Sequence, residues 1–273
     1  MEKTYNSNEK PIGIFDSGIG GLTVLKEVRK NLPKEKLIYL GDTARVPYGI
    51  RSAQTVIKYS IANTDFLLKQ NIKLLIIACN TASAVAINVL REKYTIPIVD
   101  VVEPGARGAV SKTRNRKVGI IGTEGTINSG AYQREIRRLD PDIETFTQPC
   151  PLFVPLAEEG WCSQNDEVVL LTAKRYLEPL KAFDIDTLVL GCTHYPLLKS
   201  AIQKIMGDQT NLIDSAEETA LEVMQILSKN NIHNNGNSEG VSLFYLTDIP
   251  HRFNETVKLF LGEEFANANL IDI

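Results

Sequence analysis

Residues 186–197 read DTLVLGCTHYPL, and residues 73–84 read KLLIIACNTASA. Each is a short apolar run that breaks at a cysteine, Cys192 in the first and Cys79 in the second. Such a run, bounded by polar residues, has the pattern of a strand buried on both faces. In open α/β sheets ligands sit beyond the carboxyl ends of the strands. Both thiols therefore stand where a ligand would meet them. Small or polar hydrogen-bonding residues follow each at once: Thr193-His194 and Asn80-Thr81.

On either side, apolar runs alternate with helical periods. Residues 11–15 (PIGIF) form a candidate first strand that ends at Asp16-Ser17. Gly18, Gly20 and Gly21 supply a tight turn, and Leu22, Leu25, Val28 and Leu32 then recur at the spacing of one helix face. Residues 37–40 are the second strand, followed by Gly41-Asp42-Thr43 and a loop through Arg45, Pro47, Tyr48 and Gly49. Ser52 is placed to cap the next helix, whose expected inner face carries Ala53, Ile57, Ile61 and Leu68. Residues 74–78 are the third strand and deliver Cys79. The helix after it is expected to bury Val85 with Val89 and Ala86 with Leu90, and residues 97–102 are a fourth strand.

The pattern then restarts. Residues 117–121 (KVGII) lead into Gly122-Thr123-Glu124-Gly125-Thr126, an echo of GIFDSGIGG. Residues 143–147 are a second strand, residues 165–180 a helix with Val169, Ala173, Leu177 and Leu180 on one face, and residues 187–190 the third strand, which delivers Cys192. The tail adds a strand at 212–214, a helix with Ala220, Met224 and Leu227 inward, and a polar loop at 230–240 expected in solvent. It ends with a strand at 241–246 and a helix bearing Phe253, Val257 and Phe260. Two successive β-α-β-α-β runs imply an α/β fold of two similar lobes with parallel sheets, which would bring the two strand ends face to face. The expected division is residues 1–103 plus 214–273 for the first lobe and 104–213 for the second.

The composition narrows the function. The 273 residues are 43% hydrophobic and 23% charged, ordinary for a soluble globular protein, with 30 lysines and arginines against 33 acids. Without a basic excess, nucleic-acid binding has little electrostatic support. No apolar segment is long enough for a membrane span, and the polar first eleven residues hold no secretory signal. The four cysteines, Cys79, Cys150, Cys162 and Cys192, form no C-x-x-C pair, so free thiols in a cytoplasmic protein are expected and a redox role is not. His194, His233 and His251 share no close metal-ligand spacing, so no metal is expected.

The residues at the strand ends suggest acid–base chemistry. A thiol acts through its thiolate and needs a polar partner to lose its proton readily. His194, two positions after Cys192, and Asp16, at another strand end, are candidate partners for Cys192 and Cys79. Cys150 and Cys162 lack such a setting and are read as packing or surface residues. Gly18-x-Gly20 is a weak dinucleotide signature, because Thr23 stands where the third glycine belongs. Tyr48 offers a hydroxyl to a ligand or merely closes a turn. Asn80, Thr81 and Thr193 either cap helices or join backbone N–H groups in holding a carboxylate.

FDSGIGGLTVL, GDTARVPYG, ACNTAS and LGCTHYPLL occur in that order. Together they resemble the glutamate racemases of the cofactor-independent aspartate/glutamate racemase superfamily, over nearly the whole chain. The resemblance implies interconversion of L- and D-glutamate, supplying D-glutamate for bacterial peptidoglycan, by two pseudo-symmetric α/β lobes with the active site in the cleft between them and with no cofactor or metal. It implies Cys79 and Cys192 as the two catalytic acid/base residues, one serving each face of Cα, assisted by Asp16 and His194. It implies substrate contacts at Asp16, Ser17, Tyr48, Gly49, Asn80, Thr81, Thr193 and His194, and further ones at Thr123, Thr126 and Glu158. A homodimer is implied as well. The short N-terminus lacks the extension of some members, so control by a cell-wall precursor is not expected. Two other readings stand beside this one. An aspartate-type racemase would usually carry an acid where His194 stands. A non-catalytic two-lobed amino-acid receptor would leave both thiols idle.

Overall fold

The structure, a computed structural model, describes residues 7–249, 251–262 and 267–273. Residues 1–6, part of the polar stretch in which no signal is read, lie outside the described residues. The chain begins with β1 (Ile12–Asp16), α1 (Leu22–Asn31), β2 (Leu37–Gly41), α2 (Ala53–Lys69), β3 (Leu74–Ile77), α3 (Asn80–Lys93) and β4 (Ile98–Asp100). It continues through α4 (Val102–Lys112), β5 (Lys117–Gly122), α5 (Glu124–Ser129), α6 (Ala131–Leu139), β6 (Glu144–Pro149) and α7 (Phe153–Glu158). Then come α8 (Glu167–Lys181), β7 (Thr187–Gly191), α9 (Lys199–Met206) and β8 (Asn211–Asp214). The last elements are α10 (Ser215–Lys229), β9 (Ser242–Leu246), α11 (Phe253–Leu261) and β10 (Asn269–Leu270).

The strands form two sheets, ordered β10-β9-β2-β1-β3-β4 and β6-β5-β7-β8, and every pairing is parallel. Both sheets therefore share one internal order: second, first, third, fourth strand of the lobe. That order reverses direction between the first and third strands, and such switch points are where α/β sheets bind ligands. Cys79 follows the third strand of one sheet and Cys192 the third strand of the other.

Each sheet is covered on both faces, which is why its strands read as unbroken apolar runs. In the first, Ile12, Ile14, Tyr39 and Ile76 face α1, α10 and α11, while Phe15, Leu40, Leu75 and Ile77 face α2 and α3. In the second, Leu188 and Leu190 pack on α8 and α9, and Val118, Ile120 and Val189 on α4 and α6. The chain crosses between the sheets twice, at β4–α4 and at β8–α10. Asp100 Oδ1 accepts from the backbone N–H of Val102 (2.8 Å) and Glu103 (3.0 Å), and Asp214 Oδ1 from that of Ala216 (2.9 Å). These caps start a helix at each crossing. They also explain why the fourth strand stops at Asp100 rather than running to 102: Pro104 falls in the first helical turn, where proline is tolerated.

Four expectations need correction. On α2 the buried face is Val56, Ser60, Asn63, Thr64 and Leu67, not the stripe from Ala53 to Leu68. The polar members are admissible because Ser60 and Thr64 donate to the carbonyls of Val56 (2.8 Å) and Ser60 (2.7 Å), while Asn63 donates to the Tyr48 hydroxyl (3.1 Å). On α3, Ala86 and Leu90 are buried, but Val85 and Val89 only half so. On α10, Val223 is buried where Met224 was expected, and Met224 is exposed. The 230–240 loop is mostly exposed, as expected, but one of its residues is not. Asn234 is buried, receiving its place from Glu35, whose Oε1 accepts the Asn234 N–H (2.7 Å), and from the Lys34 carbonyl, which accepts its amide (2.7 Å).

Candidate active site

A cavity of about 160 Å³ opens between the two sheets, and both Cys79 and Cys192 line it. It is smaller than the usual pocket for drug-sized ligands and suits one the size of an amino acid. The first lobe contributes Ser17, Tyr48, Gly49, Asn80 and Thr81, and the second Thr123, Thr193 and His194. Among the described residues, no lysine or arginine lines it.

The two thiols sit in different surroundings. Cys79 ends its strand as the N-cap of α3 and is 5% exposed. Its thiol donates to Ser17 Oγ at 3.6 Å. Burial, and next the nearby Asp16 carboxylate, push this thiol up to about 12. Asp16 is itself fully buried, and burial raises its own carboxyl above the usual range. Its Oδ2 accepts the Gly18 N–H at 3.0 Å, and its Oδ1 has no hydrogen bond of normal geometry. Negative charge on the Asp16 carboxyl thus makes negative charge on the Cys79 sulfur more costly.

Cys192 lies beside a histidine. Its Sγ is 3.7 Å from His194 Nδ1, and His194 Nε2 is 3.0 Å from Glu158 Oε1. Burial pulls the imidazole down, but hydrogen bonds and charge from Cys192 and Glu158 outweigh it and raise His194 to about 10. At neutral pH the ring is then a cation that donates to Glu158 and presents its other N–H to sulfur. Phe260 packs edge-on against the ring with centroids 5.4 Å apart. The α11 helix of the chain's tail thus buttresses a residue of the second lobe.

Three contacts close the lobes on the cavity. Thr23 Oγ1 donates to the Thr193 carbonyl at 3.1 Å. Thr81 shares hydrogen bonds with Thr123 (2.9 Å) and Thr126 (3.3 Å), which also bond each other (3.0 Å). Tyr132 donates to Asn80 Oδ1 at 2.7 Å. Gly49 is needed where it stands, because a Cβ there would lie 2.7 Å from Thr123 Cβ.

Of the residues expected at the site, Ser17, Tyr48, Gly49, Cys79, Asn80, Thr81, Thr123, Cys192, Thr193 and His194 are all on the cavity wall. Asp16, Thr126 and Glu158 stand behind it: Asp16 is buried near Cys79, Thr126 is hydrogen-bonded to Thr123, and Glu158 is hydrogen-bonded to His194. The Tyr48 hydroxyl donates to Asp42 Oδ2 and accepts from Asn63. Cys150 is buried and Cys162 half-buried, both away from this wall. Missed from the sequence as site residues were Val46, Pro47, Ile50, Glu124, Pro151, Val154 and Pro155. These lie in loops or short helices without a periodic pattern. Among the described residues, no group of three or more His, Cys, Asp or Glu is placed to hold a metal, and no helix is long and apolar enough to cross a membrane.

The model of the Asp/Glu/Hydantoin racemase family matches residues 20–223. This chain belongs to that family. A glutamate racemase of Geobacter metallireducens is 51% identical over 264 residues, 97% of either chain. The solved glutamate racemase of Francisella tularensis, crystallised with D-glutamate, superposes with a TM-score of 0.91 at 40% identity, covering 97% of this chain and 98% of that one. A glutamate racemase isoform of Bacillus anthracis superposes with a TM-score of 0.93 at 38% identity, with 97% and 98% covered. The family's two-lobed arrangement is thus the one seen here, with a strand-end thiol in each half.

Proposed function

We propose that this protein interconverts L- and D-glutamate by proton transfer at Cα between Cys192 and Cys79, without a cofactor. The observation that carries the reading is that two thiols, at equivalent strand ends of two lobes built in the same order, line one amino-acid-sized cavity. The 51% identity to a glutamate racemase, and the D-glutamate bound to a relative of the same fold, support the choice of substrate.

The enantiomers differ only in the face of Cα that carries hydrogen. A base on each face removes a proton from one side and delivers one to the other. With L-glutamate bound, the Cys192 thiolate takes the α-proton and the Cys79 thiol gives its own to the opposite face. Cys192 ends as thiol and Cys79 as thiolate, ready for D-glutamate. His194, held by Glu158, favours the Cys192 thiolate; Asp16 and Ser17 manage the proton on Cys79. Carbanion character at Cα spreads into the α-carboxylate, which needs hydrogen-bond donors fixed in a dry site. Thr81, Thr123 and Thr193, with N–H groups at the start of α3, supply these donors, while Asn80 holds a substrate carboxylate equally before and during the transfer. Ser17, Tyr48 and Gly49 complete the wall, and Thr126 and Glu158 act from behind it. The working lobes are residues 1–103 plus 214–273 and residues 104–213, with the enzyme a cytoplasmic homodimer supplying D-glutamate for peptidoglycan.

The test is polarimetry of purified protein in D2O with L-glutamate and no added cofactor. Loss of rotation with deuterium at Cα of the product is expected. Retention of the original hydrogen would refute the two-base route. Turnover of aspartate in place of glutamate would favour the aspartate-type reading.

A further inference from the structure

Tyr132 is not among the residues that touch the cavity, yet it reaches the neighbours of both thiols. It sits on α6 of the second lobe and is 1% exposed. Its ring lies against Gly191, the residue before Cys192, so closely that a Cβ there would come within 3.1 Å of Tyr132 Cε2. Its hydroxyl donates to Oδ1 of Asn80, the residue after Cys79, at 2.7 Å, with the Val101 carbonyl a second acceptor at 3.4 Å. On its other side Gly105 of α4 leaves room for it, since a Cβ there would sit 3.2 Å from its ring and hydroxyl. The side chain is packed between these glycines, and its hydroxyl meets the Asn80 amide, the Val101 carbonyl and the Ser215 hydroxyl.

That amide is in an unusual state. Asn80 is 3% exposed and lines the cavity, and its Nδ2 is buried without a hydrogen-bond partner. A buried donor left unsatisfied is costly, so such a group calls for an acceptor that arrives with a ligand. With Oδ1 accepting from the tyrosine, Nδ2 is the amide atom left to meet a ligand. We infer that Tyr132 is a positioning residue: it locks the Asn80 amide so that Nδ2 donates to a carboxylate of the substrate, across the lobe boundary. The inference rests on the proposed reading of the cavity as a glutamate site and adds to it the group that orients a substrate donor.

Tyr132→Phe keeps the ring packing and removes only the hydroxyl. KM for both enantiomers is expected to rise about tenfold with kcat within about twofold, the pattern of lost uniform binding. Asn80→Ala should raise KM at least as much, and adding Tyr132→Phe to it should raise KM no further, because the tyrosine acts through the amide. An unchanged KM in Tyr132→Phe alone, or a second full increase in the double variant, overturns the inference and leaves the racemase reading standing. A wild-type KM in Asn80→Ala overturns the carboxylate contact itself. A second measurement needs no tyrosine variant. In protein carrying 15N-asparagine, the Asn80 side-chain amide, identified by its absence in Asn80→Ala, should shift on addition of glutamate; an unmoved signal at saturation overturns the inference.

Discussion

Gly20 offers a sharp test of how the first lobe's turn supports the second lobe's thiol. A Cβ at Gly20 would lie 2.4 Å from Thr193 Oγ1 and 2.5 Å from Cε1 and Nδ1 of His194. Ordinary carbon contacts begin near 3.5 Å, so Gly20→Ala requires a displacement of about 1 Å. His194 has little freedom to yield, being 5% exposed and held by Glu158 and Phe260. Overpacking of this kind costs about 1–3 kcal/mol of stability. A misplacement of about 1 Å at a reacting group costs about 100-fold in rate. Gly18, two residues earlier, is the control: its Cβ would meet only Val46 Cγ2 at 3.3 Å, a contact that a partly exposed side chain can relieve. Coupled-enzyme assays of both directions, with thermal melts, should show Gly20→Ala down about 100-fold and Gly18→Ala within a few-fold of wild type. Equal activities in the two variants would refute the claim that the glycine turn sets the place of the Cys192–His194 pair.

Other outcomes follow from the same geometry. Cys79→Ala and Cys192→Ala should each abolish racemisation in both directions with melting temperatures near wild type; because enantiomers have equal free energies, no variant can favour one direction in kcat/KM. Glu158→Gln removes a group that raises His194, so the imidazolium is lost at lower pH, and the alkaline limb of kcat/KM should move down by about one pH unit; an unmoved limb would separate Glu158 from the chemistry. Lys73→Met leaves Glu35 buried without its partner, at 2.6 Å in the native fold, and should cost about 3 kcal/mol in urea unfolding. Lys73 enters β3 at the end opposite Cys79, so kcat per folded molecule should persist.

Much of this architecture was legible in the sequence because it follows from local burial. Runs such as LLII and LVL are apolar on every residue because helices cover both faces of their sheets, and the breaks at Cys79 and Cys192 mark the strand ends. The helix faces of α1, α8 and α11 follow apolar spacing for the same reason. The α2 face did not, because Ser60, Asn63 and Thr64 are buried through hydrogen bonds, which apolar spacing does not register.

The order of residues along the chain determined which side chains end the strands, and hence that two thiols would be presented in like settings. Only the tertiary structure decided what surrounds them. Burial and the Asp16 charge raise one thiol while His194 and Glu158 attend the other, and these depend on distances between residues far apart in the chain. The fixing of Asn80 by Tyr132 and the buttressing of His194 by Phe260 are of the same kind. Local propensity acts along the chain, whereas electrostatic fields and close packing act through space, so only the folded chain contains them.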